Sequence, residues 1–97
     1  MTRRRVSRDR NQQQIVDALR AVGAFVYDAA HIGGGFPDLI VGFRGMVYLM
    51  EIKNPKSWYG KLGMSESQKK FRDAWHDAPI SLVENANDAL FVIGAIE

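Results

Sequence analysis

The stretch GGGFPDLIVGFRGMVYLMEIKNPK, residues 33–56, decides the fold. Two strand-like runs, Leu39 to Phe43 and Met46 to Ile52, flank Arg44-Gly45, which has the length and glycine content of a tight hairpin turn. If Phe43 pairs with Met46, paired residue numbers sum to 89 and Asp38 faces Glu51. Their Cβ atoms are then roughly 5 Å apart, and Lys53, two residues past Glu51, shares that face. A turn of three or four residues would shift this register and remove the opposition.

Leu39, Val41, Met46, Val47, Leu49, Met50 and Ile52 make both faces of the hairpin apolar, which predicts a strand pair buried on both sides. Two acids opposed in such a setting repel, and a cation between them offsets the repulsion. Two carboxylates and a lysine meeting at a strand end match hard-cation chemistry on a phosphodiester. Mg²⁺ is typically held by one or two carboxylates, waters and substrate phosphate oxygens, with Mn²⁺ as a substitute. Such an ion lowers the pKa of water and neutralises phosphate charge, while Lys53 orients the attacking water or stabilises the transition state.

The order Pro37-Asp38, twelve residues, then Glu51-Ile52-Lys53 resembles the P-D…(D/E)-x-K nuclease superfamily, and more narrowly its small stand-alone VRR-NUC domains of phages and bacteria. The resemblance runs through NQQQIVDALRAVGAFVYD, GGGFPDLIVG, the strand ending in EIK, MSESQKKF and a last short strand and helix. It implies a restriction-endonuclease-like core and metal-dependent DNA cleavage. Asp38 and Glu51 would be metal ligands, the Ile52 backbone carbonyl a third, Lys53 catalytic, and Gln68 a participant from the following helix. One departure is clear: relatives often carry a glutamate on the first helix, where this chain has Gln12, Gln13 and Gln14. Glutamine brings no charge, so the pattern supports one metal better than two.

Plainer readings stand beside these. Pro37-Asp38 is also an ordinary way to begin a strand. Ser65-Glu66-Ser67-Gln68 is a capping box, which accounts for Gln68 without chemistry and is compatible with it. Gly33-Gly34-Gly35 reads as a flexible lead-in to Asp38, lacking the strand-to-helix setting of a phosphate-binding loop. His31 is either a phosphate contact or a solvated loop residue, and His76 suits the end of a helix. Phe71 and Trp75, four apart, read as core. Trp58 and Tyr59 sit in a polar loop with Lys56 and Lys61, where base stacking and loop packing are equally open.

Charge is uneven along the 97 residues. Residues 1–10 hold five arginines, Arg3, Arg4 and Arg5 among them, against one aspartate, so the remainder carries −2 of the net +2. Residues 53–72 hold five lysines, Lys69 included, and one arginine against Glu66, while residues 73–97 hold five acids and no lysine or arginine. A basic arm and a basic site are the footprint of a nucleic-acid binder. The absence of cysteine excludes disulfides, zinc thiolates and cysteine nucleophiles. No run approaches the length of a membrane span and no signal-peptide pattern follows the arm, so a cytoplasmic protein is expected, in a bacterial or phage-infected host.

Beyond the arm (1–10), residues 11–97 read as one domain. Ile15, Ala18, Leu19 and Val22 recur at helical spacing up to Gly23, and Phe25-Val26-Tyr27 is a short strand. After the hairpin, Asn54 to Gly63 reads as a polar flap, Glu66 to Trp75 as a helix, and Ile80 to Val83 as a strand parallel to its neighbour. A closing helix bears Ala86, Ala89, Leu90 and Ile93, with Asn85 as N-cap. The order α-β-β-β-α-β-α predicts an α/β fold with a mixed central sheet flanked by helices.

The expected function is a Mg²⁺-dependent DNA endonuclease. By resemblance it is structure-selective on branched DNA such as four-way junctions, and cutting both strands of a symmetric junction calls for a homodimer. The competing readings are a non-catalytic DNA-binding accessory domain using the arm and loop, and an interaction domain whose arginines bind an acidic protein.

Overall fold

The computed structural model of the protein describes residues 6–53, 65–75 and 79–97. In it the hairpin forms in the register its sequence demands. Strands β2 (Leu39–Phe43) and β3 (Met46–Ile52) are antiparallel, with Leu39 opposite Met50 and Phe43 opposite Met46. Arg44 (φ 51) and Gly45 (φ 81) both adopt left-handed backbone, the two-residue turn whose twist matches that of the strands. The Arg44 guanidinium lies 4.8 Å from the centre of the Phe43 ring.

β1 (Phe25–Asp28) adds to β2 in antiparallel fashion, and β4 (Ser81–Val83) adds to β3 in parallel, so the sheet order follows the chain, β1-β2-β3-β4. The helices are α1 (Val6–Ala21), α2 (Glu66–Ala74) and α3 (Ala86–Val92), with one 3-10 turn at Ala30–Ile32. The expected α/β order is thus observed. The β3-α2-β4 crossover supplies the length a parallel pair needs.

Alternation along the strands separates two faces. One carries Val26, Leu39, Val41, Met50, Ile52 and Val83, all buried in one cluster with Ile15 and Leu19 of α1, Ala89 of α3 and Ile93 at its C-cap. The other carries Glu51, Lys53 and, one step along the same register, Asp38. Here the expectation of a hairpin buried on both faces is corrected. α1 and α3 both pack on the core face, so the far end of the acid face stays open, with Phe25 69% and Val47 71% exposed. Met46, on the core face but at the hairpin tip, is exposed as well.

Both core helices close on glycine. At the end of α1, Gly23 (φ 93) donates to Arg20 O and Ala24 donates to Leu19 O. Gly94 (φ 78) and Ala95 repeat the pattern on Phe91 and Leu90. These are six-to-one and five-to-two bonds of a left-handed C-terminal cap. Val22 therefore stands at the end of α1, exposed, and not on its apolar stripe. α1 also begins earlier than apolar periodicity indicates, so residues 6–10, expected in the arm, are helical. As expected, Asn85 caps α3, its side chain accepting from the Asp88 N–H at 2.8 Å.

Candidate active site

Asp38 and Glu51 are 4% and 5% exposed, the two charged residues buried among those described. An acid is buried only when paired or hydrogen-bonded, and both are. Asp38 sits between two strands. Its carbonyl accepts from the Ala29 N–H at 2.8 Å, and its Oδ2 accepts from the Ile52 N–H at 2.9 Å. In the hairpin register Ile52 would face Pro37, and the Asp38 carboxylate takes up the strand amide there.

Glu51 faces Leu82 of β4, and the Lys53 N–H donates to Val83 O at 2.9 Å, so both residues are fixed by the parallel pairing. Lys53 Nζ stands 3.9 Å from Glu51 Oε2. Between them lies Gln68. Its Nε2 donates to Glu51 Oε2, while its Oε1 accepts from Lys53 Nζ at 2.9 Å and from the Ser65 N–H at 2.9 Å. Its own N–H donates to Ser65 Oγ at 3.2 Å, completing the capping box of α2. Capping and a place in the site are therefore one role. A primary amide suits this position because it offers a donor to the carboxylate and an acceptor to the ammonium; the flipped amide would oppose both.

What brings α2 here is Gly35. A Cβ on this residue (φ 86) would lie 2.2 Å from Ser67 O and 3.0 Å from Gln68 N. The glycine run is thus more than a flexible lead-in: its last residue lets the chain before Asp38 lie against the first turn of α2. The Phe36 ring meets Phe71 edge-on at 5.3 Å, and Arg72 Nη2 donates to Ile80 O at 3.1 Å, tying the far end of α2 to the start of β4.

Glu51, Lys53 and Gln68 are bonded to one another, and Asp38, one step beyond the Leu39–Met50 pair, is bonded to the Ile52 N–H beside them. The donor set of two carboxylates and a backbone carbonyl is all oxygen, which fits a hard divalent cation that keeps several waters. The carbonyl of a strand residue points to the same side as its N–H, so the Ile52 carbonyl is directed towards the Asp38 side. Among the described residues there is no cluster of three or more His, Cys, Asp or Glu. A metal held here by the described residues would rest on the two acids with the carbonyl and water.

The other expected residues are elsewhere or outside the description. Lys69 is exposed on α2. His31 is exposed, its ring 6.0 Å from that of Tyr27. Gln12 and Gln13 line a different cleft, with Val16, Arg20, Val26 and Asp28, and Gln13 Nε2 donates to Asp17 Oδ1. Arg3, Arg4, Arg5, Lys56, Trp58, Tyr59, Lys61 and His76 lie outside the described residues, as does the expected flap. Phe71 and Trp75 are corrected: α2 has no buried residue, and Trp75 is exposed. The polar sequence ESQKKFRDA was the available signal, since one large apolar residue makes no buried stripe. The packing of Gly35 was missed and had no signal apart from the glycine itself. No helix among the described residues is long and apolar enough to cross a membrane. Comparison with known proteins finds no family model, no curated protein and no solved structure that matches the chain.

Proposed function

We propose that this chain is a metal-dependent endonuclease that hydrolyses DNA phosphodiesters. The observation that carries the reading is two buried acids at the ends of adjacent strands, Glu51 bonded through Gln68 to Lys53 and Asp38 bonded to the Ile52 N–H between Glu51 and Lys53. A pure binding surface has no use for buried acids, whose desolvation is costly unless they serve chemistry or a structural pair. When bound, Mg²⁺ or Mn²⁺ supplies charge neutralisation at the phosphate and a more acidic water. Asp38, Glu51 and the Ile52 carbonyl hold the cation. Lys53 places its ammonium beside Glu51, where a phosphate oxygen or the attacking water would lie. Gln68 fixes that ammonium and the Glu51 carboxylate in one geometry, and Lys69 adds positive charge along α2.

The arm and the loop after Lys53 are proposed to bind the DNA backbone, and a homodimer to cut the paired strands of a branched substrate. The deciding experiment is a cleavage time course on end-labelled single strand, duplex, flap, nicked and four-way DNA with Mg²⁺, Mn²⁺ or chelator. Wild type should cut with metal, and Asp38→Ala should bind without cutting. Binding by wild type with no cleavage of any substrate would favour the DNA-binding accessory domain instead. Sedimentation across the working concentration tests the dimer, and a monomer that still resolves junctions would remove that step.

A further inference from the structure

Three aromatic rings form a row that starts at the site and ends in solvent. Phe36, two residues before Asp38, meets Phe71 edge-on at 5.3 Å, and Phe71 stacks on Trp75 at 5.1 Å with 25° between the planes. Trp75, the C-cap of α2, is 39% exposed. Gln68, Phe71 and Trp75 follow one another at helical spacing, so the row shares a side of α2 with the residue that bonds Glu51 and Lys53. At 1.5 Å per residue, Trp75 lies about 10 Å along the axis from Gln68. That is the rise of about three stacked bases at ~3.4 Å each.

Packing alone does not account for the row. The Phe36–Phe71 contact, the Gly35–Ser67 approach and the Arg72 bond to Ile80 already dock α2. Trp75 adds a large ring at the open end of a helix with no buried residue. α2 is cationic on balance, with Lys69, Lys70 and Arg72 against Glu66 and Asp73; Arg72 adjoins the row in the helix and Lys53 stands at its head.

We propose that this row is a stacking platform for an unpaired nucleobase next to the scissile phosphate. An aromatic face takes any base, whereas the neighbouring cations take its phosphate. The substrate class is then DNA with a single-stranded segment at the cut, such as a flap, a splayed end or an opened branch point. The inference rests on the nuclease reading above.

The test is binding without cleavage, in chelator. Trp58→Phe leaves Trp75 as the lone tryptophan, since the chain has two. This protein is titrated with oligothymidylate and with an abasic strand of equal phosphate count, following tryptophan emission and, separately, the anisotropy of a labelled strand. Oligothymidylate should quench Trp75 strongly and the abasic strand should not. In the otherwise native chain, Trp75→Ala should weaken oligothymidylate binding about tenfold and leave abasic binding unchanged, with Trp75→Tyr restoring most of the loss. Equal quenching by both strands, or binding that shows no dependence on bases, would overturn the platform and leave the nuclease reading intact. Failure of both strands to bind, in chelator and again with Ca²⁺ in place of Mg²⁺, would overturn both. The fluorescence arm keeps Trp75 and decides even if Trp75→Ala folds poorly.

Discussion

Asp38 accepts the backbone N–H of Ile52, 2.9 Å from its Oδ2, so the first acid of the site is bonded to the middle residue of Glu51-Ile52-Lys53. The same carboxylate that would hold a cation also terminates the β2–β3 pairing. Charge and hydrogen bonding can therefore be separated by substitution.

Asp38→Asn keeps an oxygen acceptor and removes the charge, whereas Asp38→Ala removes both. The asparagine variant should lose at least a hundredfold in cleavage while melting close to wild type. The alanine variant should also lose about 1–3 kcal/mol of stability, the cost of a buried N–H without a partner. Thermal melts and single-turnover cleavage compare the two. Equal melting of both variants would remove the structural role given to this bond.

Mg²⁺ should stabilise the wild type by mass action, about 2.7 kcal/mol at a hundred times its dissociation constant. Melting in chelator and across a Mg²⁺ series measures this. Asp38→Asn should show a much smaller rise, and an identical rise in both would place the ion elsewhere.

Gln68→Glu sets a third carboxylate against Glu51 and withdraws the donor that Glu51 accepts. Cleavage should fall by one to two orders of magnitude, as for loss of a positioning contact. Gln68→Met removes the network without adding charge. It should cost about 0.5–1.5 kcal/mol through the lost bond from the Ser65 N–H, Ser65 itself still capping α2, and misplace Lys53. A methionine variant with wild-type cleavage would assign Gln68 to capping alone.

Gly35→Ala puts a methyl group 2.2 Å from Ser67 O, at a φ of 86. Gly33→Ala shares the positive φ but meets nothing within 4 Å. Both variants carry strain of roughly 1–3 kcal/mol, and only the first forces α2 off the loop. Cleavage should collapse in Gly35→Ala and largely survive in Gly33→Ala.

Arg44→Asn substitutes a residue that tolerates left-handed backbone for one that does not, at the first turn position of the hairpin. Stability should rise by several tenths of a kcal/mol, read by denaturant melts, with cleavage unchanged. A fall would mean that the Arg44 contact with Phe43 outweighs the backbone gain.

Local chemistry determined much of this protein in advance. The two-residue turn at Arg44-Gly45 sets a register that places Asp38 one step beyond the Leu39–Met50 pair, level with Glu51, because turn length fixes the pairing of a hairpin. Ser65 and Gln68 marked the start of α2, and Gly23 the end of α1, because caps act over four or five residues. Other features were decided by segments distant in the chain. The first turns of α1 read VSRDRN, with no apolar spacing to mark a helix. That the acid face stays open beyond the site depends on α1 and α3 sharing the opposite face, which no strand pattern encodes. Gln68 joins Glu51 across 17 positions and Asp38 joins Ile52 across 14. The sequence by itself named the two acids, the lysine and the glutamine. Only the tertiary structure bonded Gln68 to Glu51 and Lys53 and Asp38 to the strand amide beside them, because that geometry depends on Gly35 admitting α2 and on β4 holding Lys53 in the sheet.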